Sequence, residues 1–251
     1  MNESARAAVA PGAGEPNPRG QGAPGVLLAA QGIDKSFFDS GRQINVLRAL
    51  DLEVAHGERI AIVGYSGVGK STLLHILGSL EVPTAGKVFF EGRDLFALSA
   101  QALAKFRNQQ LGFVFQFHYL LADFTALENV AMPARIGRLT EAKARELALA
   151  ALKLVGLDEK SHRRPSELSG GEQQLVAVAR AIVLRPKLVL ADEPTGNLDA
   201  QTAEEVNRLL VRLNLELGIT MVVATHNERL ARHMARILRL RDGRLYDENR
   251  L

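Results

Sequence analysis

The sequence predicts an α/β fold in which a largely parallel sheet is covered by helices on both faces. Three observations carry that expectation. Short apolar runs at Arg59–Val63, Lys187–Ala191 and Thr220–Ala224 read as strands buried on both sides. Stretches with helical periodicity, Thr140–Leu154 and Glu172–Leu184, lie between them. The 251 residues, 47% of them hydrophobic, are enough for one large domain or two small ones without covalent staples. There is no cysteine, which excludes disulfide scaffolds, zinc ribbons and thiol chemistry.

In chain order, residues 1–25 hold four of the nine prolines and five of the 22 glycines. Their charges cancel and they lack the apolar stretch of a signal peptide, so a disordered tail is expected. Val26–Ala30 and Val46–Val54 follow as strands around the loop Asp39-Ser40-Gly41. The strand Arg59–Val63 ends at Gly64, and a helix is expected from about Lys70, carrying Leu73, Leu74, Ile76 and Leu77 inward. Lys87–Phe90 forms a further strand, stopped by Gly92. From about Ala97 to Pro165 the pattern is mostly helical and lacks strong strand signals, which reads as a helical insertion. The chain closes on a helix and a hairpin turning at Asp242-Gly243.

The net charge is +3, and Glu228–Leu251 alone contains seven Arg against four acids. That field is too narrow to indicate nucleic acid. No run of 18 apolar residues exists, so no direct membrane span is expected and the chain is placed in the cytoplasm.

Gly64-Tyr65-Ser66-Gly67-Val68-Gly69-Lys70-Ser71, followed by Thr72, fits the phosphate-loop pattern between a buried strand and a helix start. Its glycines let successive N–H groups turn toward phosphate oxygens, and the helix N-terminus adds partial positive charge. Lys70 reaches the β- and γ-phosphates, while the Ser71 hydroxyl is a magnesium ligand. The second apolar strand ends in Asp192-Glu193, where ligands bind in open α/β sheets. Asp192 is suited to magnesium and Glu193 to polarising the attacking water. Together these residues predict a magnesium-dependent nucleoside triphosphatase.

Leu168-Ser169-Gly170-Gly171-Glu172 is locally a helix start, with Ser169 as N-cap and Glu172 completing a capping box. Two glycines in a first turn are costly at about 1 kcal/mol each relative to Ala, which suits close approach to a ligand. An open helix N-terminus is a second anion site.

These residues resemble the signature of the ATP-binding-cassette family, and the resemblance covers about residues 26 to 246. It implies a RecA-like P-loop core with an antiparallel β subdomain and a helical insertion, the ATP-binding domain spanning 26–251. Gln116 resembles the family's Q-loop glutamine, which senses magnesium and the attacking water. Asn197-Leu198-Asp199 resembles the D-loop, and His226 resembles the switch histidine at the γ-phosphate. Phe37 resembles the aromatic that stacks on adenine, with Phe38 as substitute. The resemblance also implies that two copies pair head to tail. Each ATP then lies between one chain's phosphate loop and the other's Ser169, Gly170, Gly171 and Glu172.

The run from Gln116 to Pro133 is similar to that of ATP-binding subunits from bacterial lipoprotein-releasing systems. Related MacB-type exporter and FtsE-type cell-division ATPases share much of it. A soluble regulatory or DNA-associated cassette is the reading from a different class. The lipoprotein-releasing resemblance implies two integral membrane subunits, docked at His118, Tyr119, Leu120 and Leu121, and a peripheral place on the cytoplasmic face of the inner membrane. Leu175 departs from the family, which commonly has Arg there.

Overall fold

The computed structural model describes residues 25–248; the tail expected at residues 1–25 lies outside the described residues except for Gly25. Two sheets build the fold. Strands β1 (Val26–Asp39), β2 (Arg42–Ala55), β4 (Ala85–Phe90) and β5 (Arg93–Asp94) form an antiparallel sheet in the order β2-β1-β4-β5. The second sheet has six strands. They are β3 (Arg59–Val63), β6 (Leu111–Val114), β7 (Leu188–Asp192), β8 (Thr220–Thr225), β9 (Arg236–Arg241) and β10 (Arg244–Asp247), in the order β10-β9-β3-β8-β7-β6. All its pairings are parallel except that of β10 with β9.

Alternation along β3 shows how the core divides. Ile60 and Ile62 face one cluster, with β1, β2 and helix α1 (Lys70–Leu77). Ala61 and Val63 face the other, with helices α3 (Ala126–Ile136), α4 (Glu141–Leu154), α5 (Gly170–Ile182) and α6 (Ala200–Leu217). A strand covered on both faces needs apolar residues at every position, which is why β3, β7 and β8 read as unbroken apolar runs. Leu73, Leu74, Ile76 and Leu77 of α1 are buried as expected. Among the described residues, no helix is long and apolar enough to cross a membrane.

The three hairpins share one turn geometry. Ser40-Gly41, Glu91-Gly92 and Asp242-Gly243 all have positive φ at both positions. That is the twist-matched two-residue turn, and glycine at the second position removes half of its steric cost. The third is followed by β10 and preceded by the short helix α7 (Glu228–Arg232) and β9, as expected for the end of the chain.

The stretch expected as a helical insertion, about 97–165, is corrected in one respect. It contains helix α2 (Ala100–Gln110), α3 and α4, but also β6, a strand of the central sheet. β6 has only four residues, pairs with β7 alone, and includes Gly112. A Cβ on Gly112 would lie 2.3 Å from the Ala181 carbonyl oxygen, so α5 packs directly on the strand backbone. A short edge strand with a glycine carries too little apolar sequence to stand out.

Candidate nucleotide site

The phosphate loop runs from β3 to α1. Gly67 has φ 77° and Gly69 has φ 109°, conformations that Cβ-bearing residues avoid. At Gly69 a Cβ would also lie 2.5 Å from Val46 Cγ1. Gly69 is the N-cap of α1, and no side chain caps the helix. By contrast, Ser99, Thr125, Thr140, Ser169 and Asp199 cap α2, α3, α4, α5 and α6. The first N–H groups of α1 are thus left for a ligand, with the helix dipole behind them.

These N–H groups border a cavity of about 940 Å³. Gly64, Tyr65, Ser66, Gly67, Gly69, Lys70, Ser71 and Thr72 line one side, and Gln116, Glu193 and His226 line the other. Lys70 is only 6% exposed. Its ammonium donates to the Gly64 and Tyr65 carbonyls at 2.9 and 3.2 Å and lies 3.7 Å from Glu193 Oε1. A desolvated ammonium needs such partners, and an anionic phosphate would be a stronger one.

Glu193 follows β7 with φ 44°. Its N–H donates to the Ala224 carbonyl at 2.9 Å, which pins this strained residue to β8. Oε2 accepts from the Thr225 hydroxyl at 3.0 Å and the His226 N–H at 3.2 Å. Oε1 lies 2.8 Å from His226 Nδ1. The carboxylate is therefore anchored through one oxygen, while the other faces Lys70 and His226 at the cavity. Gln116 and Asn197 clasp each other: Gln116 Nε2 donates to Asn197 Oδ1 at 2.9 Å, and Asn197 Nδ2 donates to the Gln116 carbonyl at 3.1 Å.

The donor set suits magnesium. Ser71 lines the cavity; Asp192, at the end of β7 and outside the lining residues, has a buried Oδ1 without a hydrogen-bond partner. Hard oxygen ligands of this kind, with phosphate oxygens and water completing the shell, match the ion's preferences. Among the described residues no group of three or more His, Asp or Glu side chains could hold a metal without such help.

Other expected site residues lie elsewhere. Phe37 does not line the cavity; it is exposed, with Lys35 Nζ 4.9 Å from its ring centroid, and Val46 borders the cavity instead. Phe38 is also exposed. Val68 packs against the core beneath the loop. Asp199 caps α6, accepting from the Gln201 and Thr202 N–H groups and from the Thr202 hydroxyl at 2.6 Å.

Ser169, Gly170, Gly171 and Glu172 are outside this chain's cavity. Ser169 and Glu172 form the expected capping box. The Lys160 ammonium and the Ser169 N–H hold the Glu172 carboxyl below its ordinary range. The two glycines have different reasons. A Cβ on Gly171 would sit 2.3 Å from Thr202 Cγ2, whereas Gly170 faces open space. Packing on α6 accounts for Gly171; Gly170 leaves room for something outside the chain. Leu175 borders the same core as Leu120, so its apolar side chain has a packing role.

The sequence reading named Asn197 only within the D-loop run and missed its clasp on Gln116, the role of Thr225 and the contacts that hold residues 118–121. Thr225 stands beside His226 in a strand-end position shared with Glu193, a signal that registers only once β7 and β8 are known to be neighbours.

The chain belongs to the ABC transporter family, whose profile matches residues 47–196. Members of this class hydrolyse ATP, and the two-sheet fold is that of its ATP-binding cassette. The bacterial ABC transporter cassette MJ0796, solved as a dimer, superposes with a TM-score of 0.82 at 39% identity, covering 88% of this chain and 98% of that one. The same cassette in a post-hydrolysis state with ADP and Pi superposes equally, with a TM-score of 0.82 at 38% identity, covering 88% of this chain and 98% of that one. In sequence the chain is similar to the lipoprotein-releasing system ATP-binding protein LolD of Myxococcus xanthus. The two are 54% identical across 86% of this chain and 97% of the relative. LolD of Geobacter metallireducens is 53% identical across 87% of this chain and 97% of the relative.

Proposed function

We propose that this chain is the magnesium-dependent ATPase subunit of a lipoprotein-releasing ABC system. In this reading it works as a head-to-tail dimer beneath two integral membrane subunits, on the cytoplasmic face of the bacterial inner membrane. Its ATP-binding domain is residues 26–251, with the mainly helical stretch 97–165 interrupted by β6. The observation that carries the proposal is similarity to LolD over nearly the relative's whole length, with the phosphate loop, Glu193 and His226 gathered at one cavity.

In the reaction, N–H groups at the start of α1 and the Lys70 ammonium bind the β- and γ-phosphates. Ser71, Asp192 and Gln116 would hold magnesium, which when bound would neutralise charge on the phosphate oxygens. Glu193 Oε1 takes a proton from the attacking water. Its other oxygen stays fixed by Thr225 and the His226 N–H, so the base does not swing away. His226, on the rim, orients Glu193 and reaches the γ-phosphate. Ser169, Gly170, Gly171 and Glu172 complete the partner's site, with Asp199 beside the same interface. Phe37, although outside the cavity lining, is the aromatic assigned to stack on adenine. Phe117, Tyr119 and Leu121 are exposed apolar groups next to Gln116, and with His118 and Leu120 they form the docking surface for a membrane subunit.

The test is purification of the tagged chain from detergent-solubilised bacterial membranes. Integral membrane proteins with large periplasmic domains are expected to accompany it, and the recovered complex should release a lipoprotein from spheroplasts only with ATP. Recovery with nucleic acid alone, or release without ATP, would refute the assignment.

A further inference from the structure

The segment after Gln116 exposes side chains while its main chain is held from two helices. Phe117, Tyr119 and Leu121 are 61, 65 and 44% exposed. Beneath them the Arg180 guanidinium, from α5, donates to the His118 and Tyr119 carbonyls, each at 2.7 Å. From α3, the Asn129 amide donates to the carbonyls of Leu121, Phe124 and Thr125 at 3.0–3.1 Å, and its Oδ1 accepts from the Leu121 N–H at 2.8 Å.

Two features make Arg180 more than a packing residue. Burial pulls its guanidinium below the ordinary arginine value, and its partners are neutral carbonyls, with no carboxylate paired to it among the described residues. Placing a charge there is costly, and an aliphatic side chain would avoid that cost. The planar fork, however, can grip two adjacent carbonyls at once. Tyr119, one of the two, has φ 47°, a conformation that a bulky residue does not choose unaided. The same helix also holds the residue just before Gln116: Gln174 Nε2 donates to the Phe115 carbonyl at 3.3 Å. α5 begins at Gly170, immediately after its Ser169 cap.

We infer that Arg180 is a positioning residue that locks the exposed loop His118–Leu121 to α5, so that the loop and the Ser169–Gly171 end of that helix move as one body. The inference rests on the reading of Ser169–Gly171 as a nucleotide-contacting end and of the loop as a partner surface. Displacement of the loop by a partner then shifts the signature end, and nucleotide capture at the signature end shifts the loop. Arg180 itself touches no group assigned to chemistry.

Amide hydrogen exchange on the full chain, with and without magnesium and a non-hydrolysable ATP analogue, tests this coupling. In the unmodified protein the analogue should change protection of residues 168–174 and 118–121 together. In Arg180→Met, exchange across 118–121 should rise about tenfold, in line with loss of charge-assisted hydrogen bonds. The loop should then cease to respond to the analogue while residues 168–174 still respond. Arg180→Lys should restore part of the response, because an ammonium still reaches one carbonyl. A loop in Arg180→Met that still responds as in the unmodified protein would overturn the proposal. So would equal loss of response in both segments, the mark of a merely structural role. If Arg180→Met does not fold, Arg180→Lys decides: a reduced loop response supports the coupling and an unchanged one refutes it. Failure of the unmodified chain to bind the analogue would instead sink the ATPase reading on which the proposal rests.

Discussion

Glu193 concentrates the chemistry of the site in one strained residue. Its left-handed φ of 44° is held by a main-chain bond to Ala224, and Thr225 and His226 fix its carboxylate. Glu193→Gln keeps an oxygen to accept those bonds but loses the proton acceptor. Turnover should fall by roughly 10²–10⁴, the usual worth of a general base, while a fluorescent ATP analogue still binds. Steady-state phosphate release and analogue titration check the two halves; unchanged turnover would exclude Glu193 as the base. His118 offers a pH test. Burial, then the nearby Arg180 charge, lower its pKa, while Gln173 partly opposes them. The unfolded chain therefore takes up this proton near the ordinary value of 6.5, while the folded chain takes it up only at lower pH. Stability should fall as pH drops through that window, and the penalty is absent above it. His118→Gln should flatten the dependence of the urea midpoint between about pH 7.5 and 5.5. An unchanged slope would show that His118 does not contribute.

The elements differ in how openly they announce themselves. The interior positions of β3, β7 and β8 are apolar because both faces are covered, and the helical pattern of α4 follows from one buried stripe. The capping box at Ser169-Glu172 is local chemistry and was legible as such. α3 carries an equivalent box at Thr125-Glu128, and its Asn129 holds the preceding loop. Thr125→Ala should cost about 1 kcal/mol of stability, measured by chemical denaturation, and should loosen residues 121–125 in hydrogen exchange. A loss of stability with unchanged exchange there would detach the cap from the loop. β6 and the role of Arg180 were hidden for a common reason. Each depends on a neighbour distant in sequence: β6 on β7, and Arg180 on carbonyls 61 and 62 positions away. Only the charge of Arg180 within the apolar stretch Val176–Ile182 hinted that it had a partner.

On the scale of the whole molecule, the two anion-binding helix ends are not in one cavity. The α1 end borders the nucleotide cavity, and the Ser169–Gly171 end does not. That separation is what a shared site between two copies requires. In a head-to-tail dimer, Ser169→Arg and a disabled phosphate loop on the same chain damage both composite sites, whereas on opposite chains they fall in one site and leave the other intact. The head-to-tail arrangement predicts that Ser169→Arg disables the phosphate loop of the opposite subunit, read as nucleotide trapping in differentially tagged chains. Damage confined to the mutated chain would reject it. At the Arg-rich end of the chain, Arg232 and Arg239 border the nucleotide cavity, while Arg236 pairs with Glu58 and Arg239 with Glu248.

The sequence alone determined the α/β class, the phosphate loop, the acidic strand end and the signature turn. These are set by contiguous residues whose periodicity, glycine content or capping chemistry is local. Only the tertiary structure decided which side chains meet. It set Glu193 against Thr225, His226 and Lys70, clasped Gln116 to Asn197, assigned Gly171 to packing on Thr202, and tied the loop after Gln116 to α5. Each of those contacts joins segments far apart in the chain, and such contacts are specified by how the sheet orders its strands and how the helices pack upon it.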